Sequence, residues 1–512
     1  MTQRRRIALA IAGAVALLAV VLVVLLRGDG EGGPPDTLAG LVPSGALVYA
    51  HLSTDRGRAE DRRFARLAGA LPPVARLRDS LAGAVAPGAF TLERDVRPWL
   101  GDEAAYAALS PADTLLLAGV ADRARAEALV ARIGNLDAAA AYRGVRVLSA
   151  GPTALAFVRE DVLAVGTEAA VRAAVDRAQG AGDALPEAPA YERATAERPA
   201  GRTLDVYASA RGVREVLAPR GGLLGAVGTL VDRPGLEAAG AAFAAEPAGL
   251  RVEARLAGGA PEGAQFTPVL VERVPEAAVA YLGLRSASRL MRLLGRLGGA
   301  AAVERARTLV ADGAGVDLDR ELLAPLSGEL ALAVTTGAED PGGSSGGAPV
   351  VTLKARTADP ERTDAALARL QEPLATLLAQ PGSVPAFRPL TVGALRGFSL
   401  RATPELAPSY AVSPDGVVLS TAPAGLLPPV GTIAAAPAFR ATIGDVPDQA
   451  DSLLFLDLRQ LLALGEQTGL TAIPGLGTAR DDLARVRAAG LTVVQDPARK
   501  TDTTAELFLE IP

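Results

Sequence analysis

An α+β fold is what this sequence predicts: an N-terminal transmembrane helix followed by two duplicated lobes of antiparallel sheet with packed helices. Three observations carry that reading. The run Ile7–Leu26 contains no polar side chain, five landmarks recur in the same order in both halves, and short alternating segments separate longer helical patterns.

The apolar run comes first. Arg4, Arg5 and Arg6 precede it, and its residues at about 1.5 Å each span about 30 Å, the hydrocarbon thickness of a bilayer. A cleaved signal peptide has a shorter apolar region ending in small residues. This run leads instead into Arg27-Gly28-Asp29-Gly30. The sequence therefore predicts an uncleaved signal anchor over 7–26, with 1–6 cytoplasmic and a spacer over 27–38. The body then lies outside the cytoplasmic membrane in a single-pass arrangement.

Beyond the spacer the chain repeats itself. Leu41–Ala50 returns as Arg273–Leu282, Pro98–Glu103 as Pro325–Glu329, and Tyr142–Val145 as Leu395–Phe398. Phe157–Val165 then returns as Tyr410–Leu419, and Ala238-Ala239-Gly240 as Ala488-Ala489-Gly490. Chance similarity does not preserve order over so many landmarks, so two lobes are expected, 39–260 and 268–512. A short strand followed by an amphipathic helix recurs within each, as Leu204–Ala208 before Val213–Leu217 and Leu453–Asp457 before Leu461–Leu464. Strands are expected over Leu115–Val120, Val145–Leu148, Leu330–Val334 and Val350–Leu353. Helices are expected over Asp122–Ile133, Thr167–Arg177, Arg285–Leu297 and Asp359–Leu378.

This order of features, with the opening Leu41-Val42-Pro43-Ser44-Gly45-Ala46-Leu47-Val48-Tyr49 and a nearby Arg-rich helix, resembles an uncharacterised bacterial family, domain of unknown function 3352. The resemblance implies a single membrane anchor. It brings no activity, cofactor or site residue.

Composition removes most chemistry. The chain has no cysteine and a single histidine, His51, so disulfides, thiolate metal sites and cysteine nucleophiles are excluded. Lysine occurs only at Lys354 and Lys500, and no phosphate-binding loop surrounds either. Four of the 52 basic residues lie in the first 27 positions with no acid beside them, so the body is more acidic than the net charge of −5. An acidic body has no footprint for nucleic acid.

The remaining constellations are few. His51 ends a strand beside Ser53 and Asp55, but its counterpart in the second half is Gly283, which favours a locally satisfied histidine over a catalytic base. Gly343-Ser344-Ser345-Gly346-Gly347 has the letters of a hydrolase elbow in a low-complexity loop with no later histidine. Asp317 with Asp319, Asp481 with Asp482, and Asp102 with Glu103 read as solvated acids, and Trp99 as a core cap. Arg285, Arg289, Arg292 and Arg296 form a basic helical stripe. Leu223, Leu224 and Val227 in one half, and Leu470, Ile473 and Leu476 in the other, lie in Gly-rich apolar segments that suit core or groove. No catalytic residue, cofactor or metal ligand is assigned. The expected function is a non-catalytic binding or interaction module of the cell envelope, partnered by the membrane through its helix and by an envelope protein or apolar ligand. A carboxylate-dependent hydrolase and a structural spacer are the alternatives.

Overall fold

The computed structural model describes residues 33–55, 57–70, 92–132, 137–138, 141–218, 231–259, 264–295, 300–336, 348–379, 385–393, 395–403, 406–468 and 485–512. The chain forms two compact units, one from residues 1–260, 496–506 and 511, the other from 261–495, 507–510 and 512.

In the first unit the strands are β1 (Val48–Ser53), β2 (Leu100–Ala108), β3 (Thr114–Val120), β4 (Asp137–Ala138), β5 (Leu148–Ala150), β6 (Thr153–Arg159), β7 (Val162–Thr167), β8 (Arg202–Ser209), β9 (Leu236–Glu246) and β10 (Gly249–Gly258). They pair antiparallel in the order β10-β9-β8-β1-β2-β3-β7-β6-β5-β4. The second unit carries β11 (Ala278–Arg285), β12 (Glu329–Thr335), β13 (Val350–Ala355), β14 (Arg388–Val392), β15 (Leu395–Ser399), β16 (Ser409–Ser413), β17 (Gly416–Ser420), β18 (Ser452–Asp457) and β19 (Ala488–Gln495). Their order is β19-β18-β11-β12-β13-β17-β16-β15-β14, again antiparallel throughout. From β9 to β4 and from β19 to β14 the two sequences of strands correspond position for position. The second unit is thus a copy of the first at the level of register.

Helices cover the sheets by burying one stripe each. Glu168–Ala178 is capped by the Thr167 side chain and buries Ala170, Val171, Ala174 and Val175, a spacing that puts all four on one face. These residues pack on Leu115, Leu117, Ala154 and Ala156 of the sheet. Pro360–Leu377 starts where Asp359 accepts from Arg362 N at 2.9 Å. Two boundaries differ from expectation. Val145 is not in a strand but closes a tight turn with Tyr142, where Arg143 and Gly144 both take positive φ. The Arg285 helix begins only at Ala287, because Arg285 still belongs to β11.

The expected N-terminal transmembrane helix, and the single-pass localisation built on it, are corrected. Among the described residues no helix is long and apolar enough to cross a membrane. The reason is visible in the helices themselves, which bury one face on a sheet and expose the other. The run Ile7–Leu26 lies outside the described residues, and the architecture supported is antiparallel sheet with packed helices.

The repeated Ala-Ala-Gly has a steric cause. A Cβ on Gly240 would sit 1.9 Å from the Ala194 carbonyl oxygen, and one on Gly490 would sit 2.7 Å from that of Thr442. In each unit a short helix, Pro189–Ala194 or Pro437–Ile443, rests its last turn on that glycine. Gly240→Ala is expected to cost about 1–3 kcal/mol by overpacking, and Gly490→Ala less. Urea denaturation of the two variants checks both the size and the ranking.

Candidate functional site

Sheet register builds a polar cluster in the first unit. Tyr49 and His51 share one face of β1. His51 lies directly opposite Asp205 on β8 and opposite Ala105 on β2, one position from Glu103 on the same face. The His51 ring is fully buried, with Nδ1 3.7 Å from Asp205 and Nε2 3.5 Å from Glu103. These distances exceed a formed hydrogen bond, so the attraction is mainly between charges. Asp36 joins from the segment before the sheet, accepting from Tyr49 Oη at 2.5 Å and from Tyr191 Oη at 3.0 Å. Arg198 lies 3.8 Å from Asp36 and 3.6 Å from Asp205, and Arg202 Nε donates to Asp205 at 2.8 Å.

The charges balance only when the ring is protonated: Asp36, Glu103 and Asp205 against Arg198, Arg202 and His51. Burial opposes the imidazolium, but the carboxylates of Asp205 and Glu103 outweigh it, and its pKa rises to about 9. Burial likewise works against ionised Asp205 and Glu103, yet contact with His51 and their other donors holds both below the ordinary range. Asp36, His51 and Glu103 bring ligand atoms within 4.8 Å of one another, a grouping that suits a cation. Those carboxylates are already engaged, however. Glu103 accepts from Thr37 Oγ1 and from Thr37 N at 2.9 Å, and Asp36 holds two tyrosine hydroxyls. The cluster fastens Pro34–Leu38 to the sheet, with Arg202 also donating to the Pro34 carbonyl at 3.0 Å.

The second unit shows what the scaffold needs without this cluster. Glu329 repeats Glu103, accepting from Leu270 N at 2.8 Å and Val269 N at 3.2 Å. The other polar partners are replaced. Register puts Gly283 at the place of His51 and Leu453 at that of Asp205. Chain order puts Val446 at Arg198 and Ala450 at Arg202. The aromatic trio Tyr49, Tyr191 and Tyr207 becomes Tyr281, Phe439 and Phe455, packed at steep ring angles and similar spacings. A Cβ on Gly283 would meet Tyr281 Oη at 2.4 Å, so the tyrosine fills the room the histidine takes in the copy.

A second difference opens a cavity. In the first unit Leu115 and Leu117 are sealed beneath the Glu168–Ala178 helix. Register places Thr352 and Lys354 at their positions. After β17 the second unit has no such helix but a short turn, Pro423–Leu426, and a Pro-rich stretch. Gly425 rests on the hydroxyls of Ser420 and Thr352, where a Cβ would approach to 2.1 Å. What remains is a cavity of about 320 Å³ whose lining includes Val274, Ala331, Ala333, Thr352, Lys354 and Leu427. Lys354 is only 9% exposed, and its ammonium donates to the Arg273 carbonyl.

The residues singled out from sequence fall elsewhere. Leu223, Leu224, Val227, Leu470, Ile473, Leu476 and Arg296 lie outside the described residues, as do Ser344, Asp481 and Asp482. Arg285 donates to the carbonyls of Ser327 and Gln265, and Arg289 pairs with Asp451, so these two are spent within the unit. Arg292 is exposed and also has a partner. Asp317 caps a helical turn by accepting from Arg320 N, and Asp319 pairs with Arg307. Trp99 is buried, its indole donating to the Asp95 carbonyl at 2.8 Å. Asp205 and Lys354 carried the missed signals: an acid directly across the sheet from the lone histidine, and one of two lysines in an alternating strand.

Residues 7–383 match the family described as "Protein of unknown function (DUF3352)", and the chain belongs to that family. No curated protein matches it. Among solved structures, "Structure of crystal form III of TP0453" aligns at 14% identity and TM-score 0.27, covering 43% of this chain and 78% of that one. "Structure of crystal form I of TP0453" aligns at 12% identity and TM-score 0.28, covering 43% and 79%. TM-scores this low establish neither fold nor function.

Proposed function

We propose that this chain works by binding rather than catalysis, with the cavity of the second unit as its ligand site and the ionic cluster of the first as a fastening. One observation carries the reading. A position sealed by a helix in one copy of the scaffold is a lined opening in the other, and its size falls at the lower end of small-molecule pockets, about 300–1,000 Å³.

A carboxylate-dependent hydrolase draws on one specific observation, since Asp36 and Asp205 have no counterpart in the second unit. Three arguments oppose it. His51 and Asp205 are buried, Glu103 does the same holding work as Glu329, and Asp205 Oδ2 and both Asp36 oxygens are held by arginines and tyrosines. The carboxylates are thus occupied in holding the fold together.

The test uses the full chain and the fluorescent apolar probe 1-N-phenylnaphthylamine. Saturable, blue-shifted binding is expected, and it should fall at least tenfold in Ala424→Trp, which places an indole at the cavity mouth. Absence of binding, or binding unchanged by the indole, overturns the proposal.

A further inference from the structure

We infer that the second unit's cavity takes a small amphiphile whose apolar chain lies along Val274, Ala331, Ala333 and Leu427 and whose carboxylate pairs with Lys354. The inference rests on the cavity being a binding site and adds the chemistry of what enters.

Lys354 is the reason. On β13 it occupies the place that Leu117 fills in the first unit, so the scaffold itself asks for an apolar side chain there. A buried ammonium costs several kcal/mol unless an anion compensates it. Among the described residues no carboxylate pairs with Lys354. Its one acceptor is the carbonyl of Arg273, which ends the helical turn Leu270–Arg273. Holding that carbonyl is a structural duty for a cation at a helix end. It uses one of three N–H donors, and the other two have no protein partner among the described residues.

The charged neighbours deepen the imbalance. Burial, and then the positive charge of Arg273, lower the Lys354 pKa, so the site disfavours its own cation. Arg273 turns to Asp415, 3.5 Å away, with both side chains well exposed. Glu329, on the same face of β12 as Ala331 and Ala333, gives its oxygens to Leu270 N and Val269 N. An incoming carboxylate would supply the missing charge.

A single lysine also sets the kind of anion. One compact positive charge matches a monoanion, whereas a phosphate calls for further cations or a helix N-terminus. The walls are mainly alanine, valine, leucine and proline, with hydroxyls only from Thr335, Thr336 and Thr352, so the bulk of the ligand is apolar. Leu427 in the lining is 52% exposed, and a longer chain would emerge beside it.

Calorimetric titration of the full chain with decanoate, decanol and decyl phosphate decides the matter. Decanoate is expected to bind at least tenfold more tightly than decanol. Lys354→Met should bring the two together while decanol affinity stays within about twofold, and Lys354→Arg should keep the preference. Equal binding of decanoate and decanol by the wild type overturns the ligand class but leaves the cavity as a site. A tenfold advantage for decyl phosphate over decanoate overturns the carboxylate. Binding of none of the three overturns both the ligand class and the cavity. The wild-type comparison stands even when Lys354→Met fails to fold. A preference that persists in a folded Lys354→Met also overturns the inference.

Discussion

Asp205→Leu is expected to destabilise the first unit by about 3–5 kcal/mol, the cost of leaving buried cations without their anion. The substituted residue is not foreign to the scaffold, because Leu453 stands at the same register position in the second unit. What makes the change costly is its company: Arg202 at 2.8 Å, Arg198 at 3.6 Å and the buried His51 ring. A loss of that size is a large share of the roughly 5–15 kcal/mol that holds a domain folded. Moving the whole set to the second unit's residues should cost far less. In Asp36→Pro, His51→Gly, Arg198→Val, Arg202→Ala and Asp205→Leu combined, the three cations leave together with two anions, and Glu103 keeps the backbone contacts that Glu329 makes in the second unit. Urea denaturation of the single and the combined variant measures the difference. A combined loss equal to the sum of the single losses would mean that the residues do not act as a unit.

Raising the pH should weaken the same cluster. His51 has a folded pKa of about 9 against an unfolded value of 6.5. A raised pKa gives stability that is complete below about pH 6.5 and is lost as pH climbs through 9, roughly 3 kcal/mol in all. Asp205 and Glu103 act in the opposite sense, because their lowered pKa values give stability present above about pH 4 and lost in acid. The urea midpoint should therefore fall between pH 6.5 and 9 in the wild type. His51→Gln should flatten that decline. Parallel profiles for the two proteins would show that the ring is neutral.

The duplication was legible because its landmarks are strands, turns and a glycine that a helix rests upon. Apolar alternation and close approach leave marks in sequence, and the matching strand order is built from those segments. The polar cluster was not legible. Sequence sets His51 beside Ser53 and Asp55, whereas the sheet gives it Asp205 and Glu103 from distant strands. Ser53 turns instead to Asp61, at 2.6 Å. Lys354 was hidden by the same alternation that marks β13. Period two places Thr352 and Lys354 on one face, and a reader assigns polar residues to water. Here that face lines the cavity, because the helix that covers it in the first unit has no counterpart between residues 422 and 432. The arginine stripe failed for a related reason. Spacing reports which side chains share a helix face, but Arg289 is drawn to Asp451, and nothing in the spacing reports that.

The claim at the centre of this account is that the second unit is the binding half of the molecule. Crystals of the full chain grown with 10-bromodecanoate test it most directly, since anomalous scattering locates the bromine without reference to any expected pose. The account predicts one principal bromine peak in the cavity lined by Val274, Ala333 and Leu427, with the carboxylate at Lys354. A principal peak in the first unit, or an empty cavity at saturating ligand, would contradict it.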